Sequence, residues 1–147
     1  MTARKPMESR TGADFRMLRD KLGVSQQWVA SQVGVTKLTV LTWEDPNEFA
    51  LPSRKAWDLL EGMWRKADEM AARLVGIASE AAKAAEEEGR RPAVLLLPYW
   101  RNRADYLRSG RDGCMEVENL STRMAQDRLA VLGMPCGITY AQPLPDA

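Results

Sequence analysis

One glycine constrains this chain more than any other residue. In VSQQWVASQVGVTKLTVLTW (residues 24–43) the apolar residues recur at helical spacing on both sides of Gly34. Gly34 supplies the positive φ that a tight helix–helix turn demands. Ser25 stands where it can cap a helix over Gln26–Val33, and Thr36 where it can cap a third helix through Trp43. Helices this short are not stable alone, so their apolar sides must be packed. Val29, Ala30 and Val33 are the expected inner residues of the first, Val40 and Trp43 of the second, with Val35 plugging the corner.

The rest of the chain is organised around this corner. Residues 1–10 are polar, carry Pro6, and read as a flexible arm. Thr11 or Gly12 opens a helix whose inner side holds Phe15, Leu18 and Leu22, ended by Lys21 and Gly23. The stretch EDPNEFALPS is turn-rich. Ser53 then caps a long helical segment to about Glu88, with Trp57, Leu60, Trp64, Ala67, Ala71, Leu74, Ala78, Ala81 and Ala85 in a heptad-like stripe. Gly62 and Gly76 leave open whether it is one helix. Gly89 and Pro92 stop it. Residues 93–97 form a short apolar run, the mark of a buried strand, which Pro98 limits or places at a sheet edge. A short helix capped by Asn102 through Leu107, a helix over 116–132 and a strand over 137–141 follow; the tail 143–147 reads as loose.

Composition removes several function classes. The chain has 147 residues, no histidine and two cysteines, Cys114 and Cys136, too far apart for a CxxC pair. A zinc site and a Cys–His catalytic pair therefore lack their residues, and no cofactor, metal ligand or catalytic residue is expected. The cysteines read as reduced thiols. No apolar run approaches the roughly 18 residues of a membrane span, and the N-terminus lacks a signal-peptide core. The expected location is cytoplasmic, with no membrane partner. Net charge is +1, but residues 1–66 hold 11 Lys/Arg against 8 Asp/Glu while residues 67–147 hold 10 against 12. That asymmetry permits a basic face on the N-terminal half.

A helix that reads DNA needs a small residue where two helices cross, a glycine at the turn and a branched plug; Ala30, Gly34 and Val35 are these. The outward positions of the third helix are Lys37, Leu38, Leu41 and Thr42, with Thr36 and Thr39 beside them. Small polar side chains let a helix enter the major groove, about 12 Å wide. The plain alternative is a helical hairpin with a core and a solvated face, which explains everything except the spacing of Ala30, Gly34, Val35, Val40, Trp43 and Glu44.

Over about residues 12–64, FRMLRDKLGVSQQWVASQVGVTKLTVLTWED and LPSRKAWDLLEGM resemble the Cro/repressor (XRE-type) helix-turn-helix family. The resemblance implies a five-helix DNA-binding domain, residues 11–66, that binds double-stranded DNA operators as a homodimer. It implies base reading by Lys37, Leu38, Leu41 and Thr42, and backbone contact by Gln26, Gln27, Thr36 and Thr39. Two leucines stand where such proteins often carry Gln, Ser or Asn; leucine cannot hydrogen-bond a base edge but packs on thymine methyls.

The C-terminal half, EEEGRRPAVLLLPYWRNRADYLRSG followed by a helix and GITYA, is similar in layout to anti-CRISPR-associated regulators. The shared points are the long helix, Arg91-Pro92, an apolar strand, Tyr99 and Asp105-Tyr106-Leu107. That resemblance implies a phage or mobile-element repressor of its own operon, with a connecting helix over 67–90 and a small α+β dimerisation domain over 91–142. The expected fold is thus mainly α. Three rivals stand beside the repressor. An enzyme in the C-terminal half would draw on Asp105, Tyr106, Arg101 and Arg103, but no nucleophile–base pair accompanies them. An antitoxin would bind DNA and a partner toxin. RNA is the third, motivated by arginines at 90, 91, 101, 103, 108 and 111, whose ordinary role is a salt-bridged surface.

Overall fold

Six helices and two strands make up the described residues, 9–142, of a computed structural model of the protein. In chain order they are α1 (Gly12–Leu22), α2 (Gln26–Val33), α3 (Lys37–Glu44), α4 (Arg54–Glu87), β1 (Leu95–Tyr99), α5 (Arg103–Arg108), α6 (Met115–Val131) and β2 (Cys136–Tyr140). The fold is mainly α, as expected. The expected arm, apart from residues 9 and 10, and the expected tail over 143–147 lie outside the described residues. No helix among those described is long and apolar enough to cross a membrane.

The chain divides into two compact units between Glu61 and Gly62, within α4. In the first, Phe15, Leu22, Val29, Ala30, Val40, Trp43, Ala56, Trp57 and Leu60 are buried. Phe15 is its hub: Trp43 meets it edge-on at 5.8 Å between ring centroids and Trp57 at 5.2 Å. Such T-shaped pairs place a positive ring edge on a negative ring face. Ser53 caps α4, its hydroxyl accepting from the Ala56 amide at 3.2 Å. The resemblance implied five helices here; the described residues from 12 to 87 form four, because α4 continues as one 34-residue helix. Gly62 and Gly76 do not break it.

In the second unit the far part of α4 is an integral layer of the core. Ala71 and Ala78 are buried with Leu97, Ala125 and Leu129, and Leu74, Val75, Leu95, Met124, Met134 and Cys136 pack on this cluster. Alanine is small enough for close approach between helices, which is why the stripe is so rich in it. Ala67 and Ala85 are buried as well, whereas Ala81 is exposed. The helix expected as a connector over 67–90 thus supplies core residues of this unit.

β1 and β2 are parallel neighbours, with Leu97 opposite Ile138 and Tyr99 opposite Tyr140. Both strands lie within two residues of their expected positions. Pro98 sits inside β1, and the ladder explains how. The Leu95 amide donates to the Pro135 carbonyl and the Ala141 amide donates to the Tyr99 carbonyl. In a parallel ladder that phase turns the nitrogens of Leu96 and Pro98 away from β2. Proline therefore forfeits no bond to β2. On that outer side, the Thr122 hydroxyl of α6 donates to the Pro98 carbonyl at 2.6 Å. The Asn119 side chain receives the Trp100 amide at 2.8 Å and donates to the Trp100 carbonyl at 3.0 Å.

Candidate nucleic-acid interface

The corner between α2 and α3 is built from capping groups and one left-handed residue. The Ser25 hydroxyl accepts the Trp28 amide at 3.0 Å. Gly34 adopts φ 76°, which non-glycine residues rarely take. Its amide and that of Val35 both donate to the Ala30 carbonyl at 3.0 Å, closing the helix end. The Thr36 hydroxyl accepts the Thr39 amide at 3.2 Å and starts α3. Three residues thus redirect the chain from one eight-residue helix to the next.

α3 has two distinct sides. Val40 and Trp43 are buried on one. On the other, Lys37 is exposed, Leu38 is 71% exposed and Leu41 42%. Both leucines thus leave apolar surface on the outer side, Leu38 more than Leu41. Thr42 is half-buried, and its hydroxyl donates back to the Leu38 carbonyl at 2.9 Å, leaving the oxygen free to accept. Thr36 and Thr39 lie together at the start of α3 with their hydroxyls 3.1 Å apart. All six expected contact residues of this segment therefore fall on or beside one short, capped helix.

Gln27 is exposed on α2, whereas Gln26 is half-buried. The Gln26 amide donates to Glu44 Oε1 at 3.2 Å. One of its two amide hydrogens is thereby committed inside the protein and is not available for a phosphate. Gln27 is the better placed of the pair for backbone contact.

Glu44 is the anchor that sequence periodicity does not disclose. Arg19 on α1 grips it through two parallel bonds, Nε to Oε2 at 2.8 Å and Nη2 to Oε1 at 2.7 Å. Arg19 Nη1 also donates to the Val24 carbonyl at 3.1 Å. The Glu44 side chain is 3% exposed and the Arg19 side chain 11%. Hydrogen bonding to Glu44 raises the Arg19 pKa above its ordinary value against the opposing effect of burial, so the guanidinium stays charged. The pair ties the C-terminal end of α3 to α1. Close packing reinforces it: a Cβ on Gly12 would stand 2.0 Å from the Trp43 carbonyl oxygen. The signal for Arg19 is positional: it stands four residues after Phe15 and three before Leu22, on the buried stripe of α1, although its charge alone would place it in solvent.

The second unit holds all six arginines that motivated an RNA reading, and five of them stand in ion pairs. Arg101 and Arg108 bond Asp105, Arg111 bonds Glu118 at 2.8 Å, and Arg103 bonds Glu116; Arg90 bonds Glu88. Tyr106 is buried against the edge of Trp100, with centroids 5.2 Å apart. Burial, aided by neighbouring Glu118, pushes its hydroxyl up to about 12. Cys114 and Cys136 are free thiols, both half-buried. Among the described residues no group of three or more His, Cys, Asp or Glu is arranged to hold a metal ion.

No protein-family model matches the chain, and no curated protein matches it.

Proposed function

We propose that α2 and α3 form a DNA-reading helix-turn-helix of the Cro/repressor type, and that the protein is a sequence-specific transcriptional repressor. The observation that carries this reading is the two-sided character of α3. An eight-residue helix with Val40 and Trp43 buried presents Lys37, Leu38 and Leu41 outward, and Arg19–Glu44 and Gly12 hold it rigidly to α1. A helix fixed in this way can enter the major groove without paying to order itself on binding. Lys37 suits a guanine edge or a phosphate, Leu38 and Leu41 suit thymine methyls, and the free lone pairs of Thr42 suit an amino group. Gln27, Thr36 and Thr39 would touch the backbone. One such module buries too little surface to select a site from a genome, so the chain acts as a homodimer on an inverted repeat. The narrower reading, an anti-CRISPR-associated regulator of its own phage or mobile-element operon, rests on the resemblance of the second unit alone.

The test is binding to a selected operator. Lys37→Ala and Thr42→Ala should each weaken specific binding by roughly 1–3 kcal/mol where the side chain reads a base. Affinity should fall steeply with salt as phosphate contacts release counterions. Unchanged operator affinity in both variants would remove α3 from the groove.

A further inference from the structure

The sheet is unequal at its two edges. β1 is closed on its outer side by Pro98, Thr122 and Asn119. Among the described residues no helix side chain covers β2 in this way; the side-chain bond to its outward groups is a long one within the exposed chain end, Gln142 Nε2 to the Tyr140 carbonyl at 3.5 Å. The phase that turns Pro98 outward on β1 turns the amides and carbonyls of Cys136, Ile138 and Tyr140 outward on β2. No backbone–backbone bond among the described residues reaches these groups from that side. Their side chains also lie on the helix-covered face, because Ile138 is the neighbour of fully buried Leu97. Yet Ile138 is 42% exposed and Tyr140 58%. The core face of the sheet simply stops at β2.

Sequence and charge point to what continues it. From Leu129 to Gln142 there is no charged residue. Exposed edges are ordinarily protected by lysine, an inward-pointing charge or proline. β2 carries none of these protections along Cys136–Tyr140. A neutral strand meets no like charge when it pairs with its own copy. The outward groups are also self-complementary. In an antiparallel pair centred on Ile138, Cys136 faces Tyr140 of the second copy, Ile138 faces Ile138, and each outward amide meets a carbonyl.

We infer that β2 is the docking edge for a second copy of this chain, giving a continuous four-stranded sheet in the order β1-β2-β2-β1 across a two-fold axis. This deepens the homodimer in the proposed function and rests on it. The pairing extends the core face, and Ile138 and Tyr140 of both copies cover one another.

The experiment is light scattering on the full chain after size exclusion. Ile138→Pro deletes the central outward amide while leaving the β1–β2 ladder intact. Ile138→Lys places a charge at the axis. Each is expected to convert a dimer into a monomer whose far-UV circular dichroism matches the parent. In a Cys114→Ser, Cys136→Ser background, Ile138→Cys with a short bis-maleimide should give a covalent dimer. Should Ile138→Pro fail to fold, Ile138→Lys and the cross-link decide the matter. A dimer that survives the folded variants, without cross-linking, overturns the edge and leaves the homodimer standing. A parent chain that is monomeric overturns both.

Discussion

Replacing Glu44 with alanine should loosen α3 from the first unit at a cost of about 3–5 kcal/mol, the usual penalty for removing one partner of a buried ion pair. The structure supports that range in two ways. Glu44 receives three N–H bonds, two from Arg19 and one from Gln26, and its side chain is 3% exposed. After the change, Arg19 keeps only the Val24 carbonyl among these partners while its guanidinium remains largely out of water. Gln26 is half-buried and regains solvent, so it adds little. Whole domains hold about 5–15 kcal/mol, so the loss is large. The two units need not unfold together, so the suitable assay is native-state amide hydrogen exchange read at Phe15, Val29 and Val40. The double variant Arg19→Met, Glu44→Leu removes both charges and should cost well below the sum of Arg19→Met and Glu44→Leu singly. A Glu44→Ala cost under about 1 kcal/mol, or strict additivity in the cycle, would show that the pair does not anchor α3.

Two further outcomes follow from the packing. Gly12→Ala drives a methyl against the Trp43 carbonyl, which belongs to backbone and cannot rotate away; the variant should lose about 1–3 kcal/mol or more in urea unfolding, and an unchanged midpoint would mean the ends of α1 and α3 do not meet. Tyr106 should ionise at about 12 in an absorbance titration, and Tyr106→Phe should delete that late step. The unfolded chain ionises first, near the ordinary tyrosine value of about 10, so the stabilisation from the neutral hydroxyl is complete below that pH and is lost as pH rises toward 12.

Much of the local structure was legible because it follows short-range rules. Ser25, Thr36, Ser53 and Asn102 cap the helices where small polar residues precede apolar periodicity. Gly34 turned where the pattern broke. Trp43 was placed in the core by its spacing from Val40, and the aromatic cluster with Phe15 bears that out. What periodicity could not show depends on distant partners. Arg19 and Glu44 are 25 residues apart, so although Arg19 falls on the Phe15–Leu22 stripe, nothing local names its partner. Pro98 suggested either the end of a strand or a sheet edge, and the second holds because β2 lies on the side its nitrogen does not face. The heptad-like alanine stripe showed that one side of the helix is packed but not what packs on it, and its partners, Leu97, Ala125 and Leu129, are distant in sequence. Leu38 and Leu41 were expected at outward positions of the third helix, and both are exposed.

The most direct measurement is selection of bound sequences by the full chain from a random double-stranded DNA pool. The expected result is an inverted repeat with half-site centres about one helical turn, roughly 34 Å, or a multiple of it apart. Binding to that site should exceed binding to scrambled DNA by at least about a thousandfold at fixed salt. Lys37→Ala should relax the preference at one position in each half-site. A pool that yields no enriched sequence, or a single unrepeated motif bound equally well by the Lys37→Ala chain, would contradict a dimeric reader built on α3.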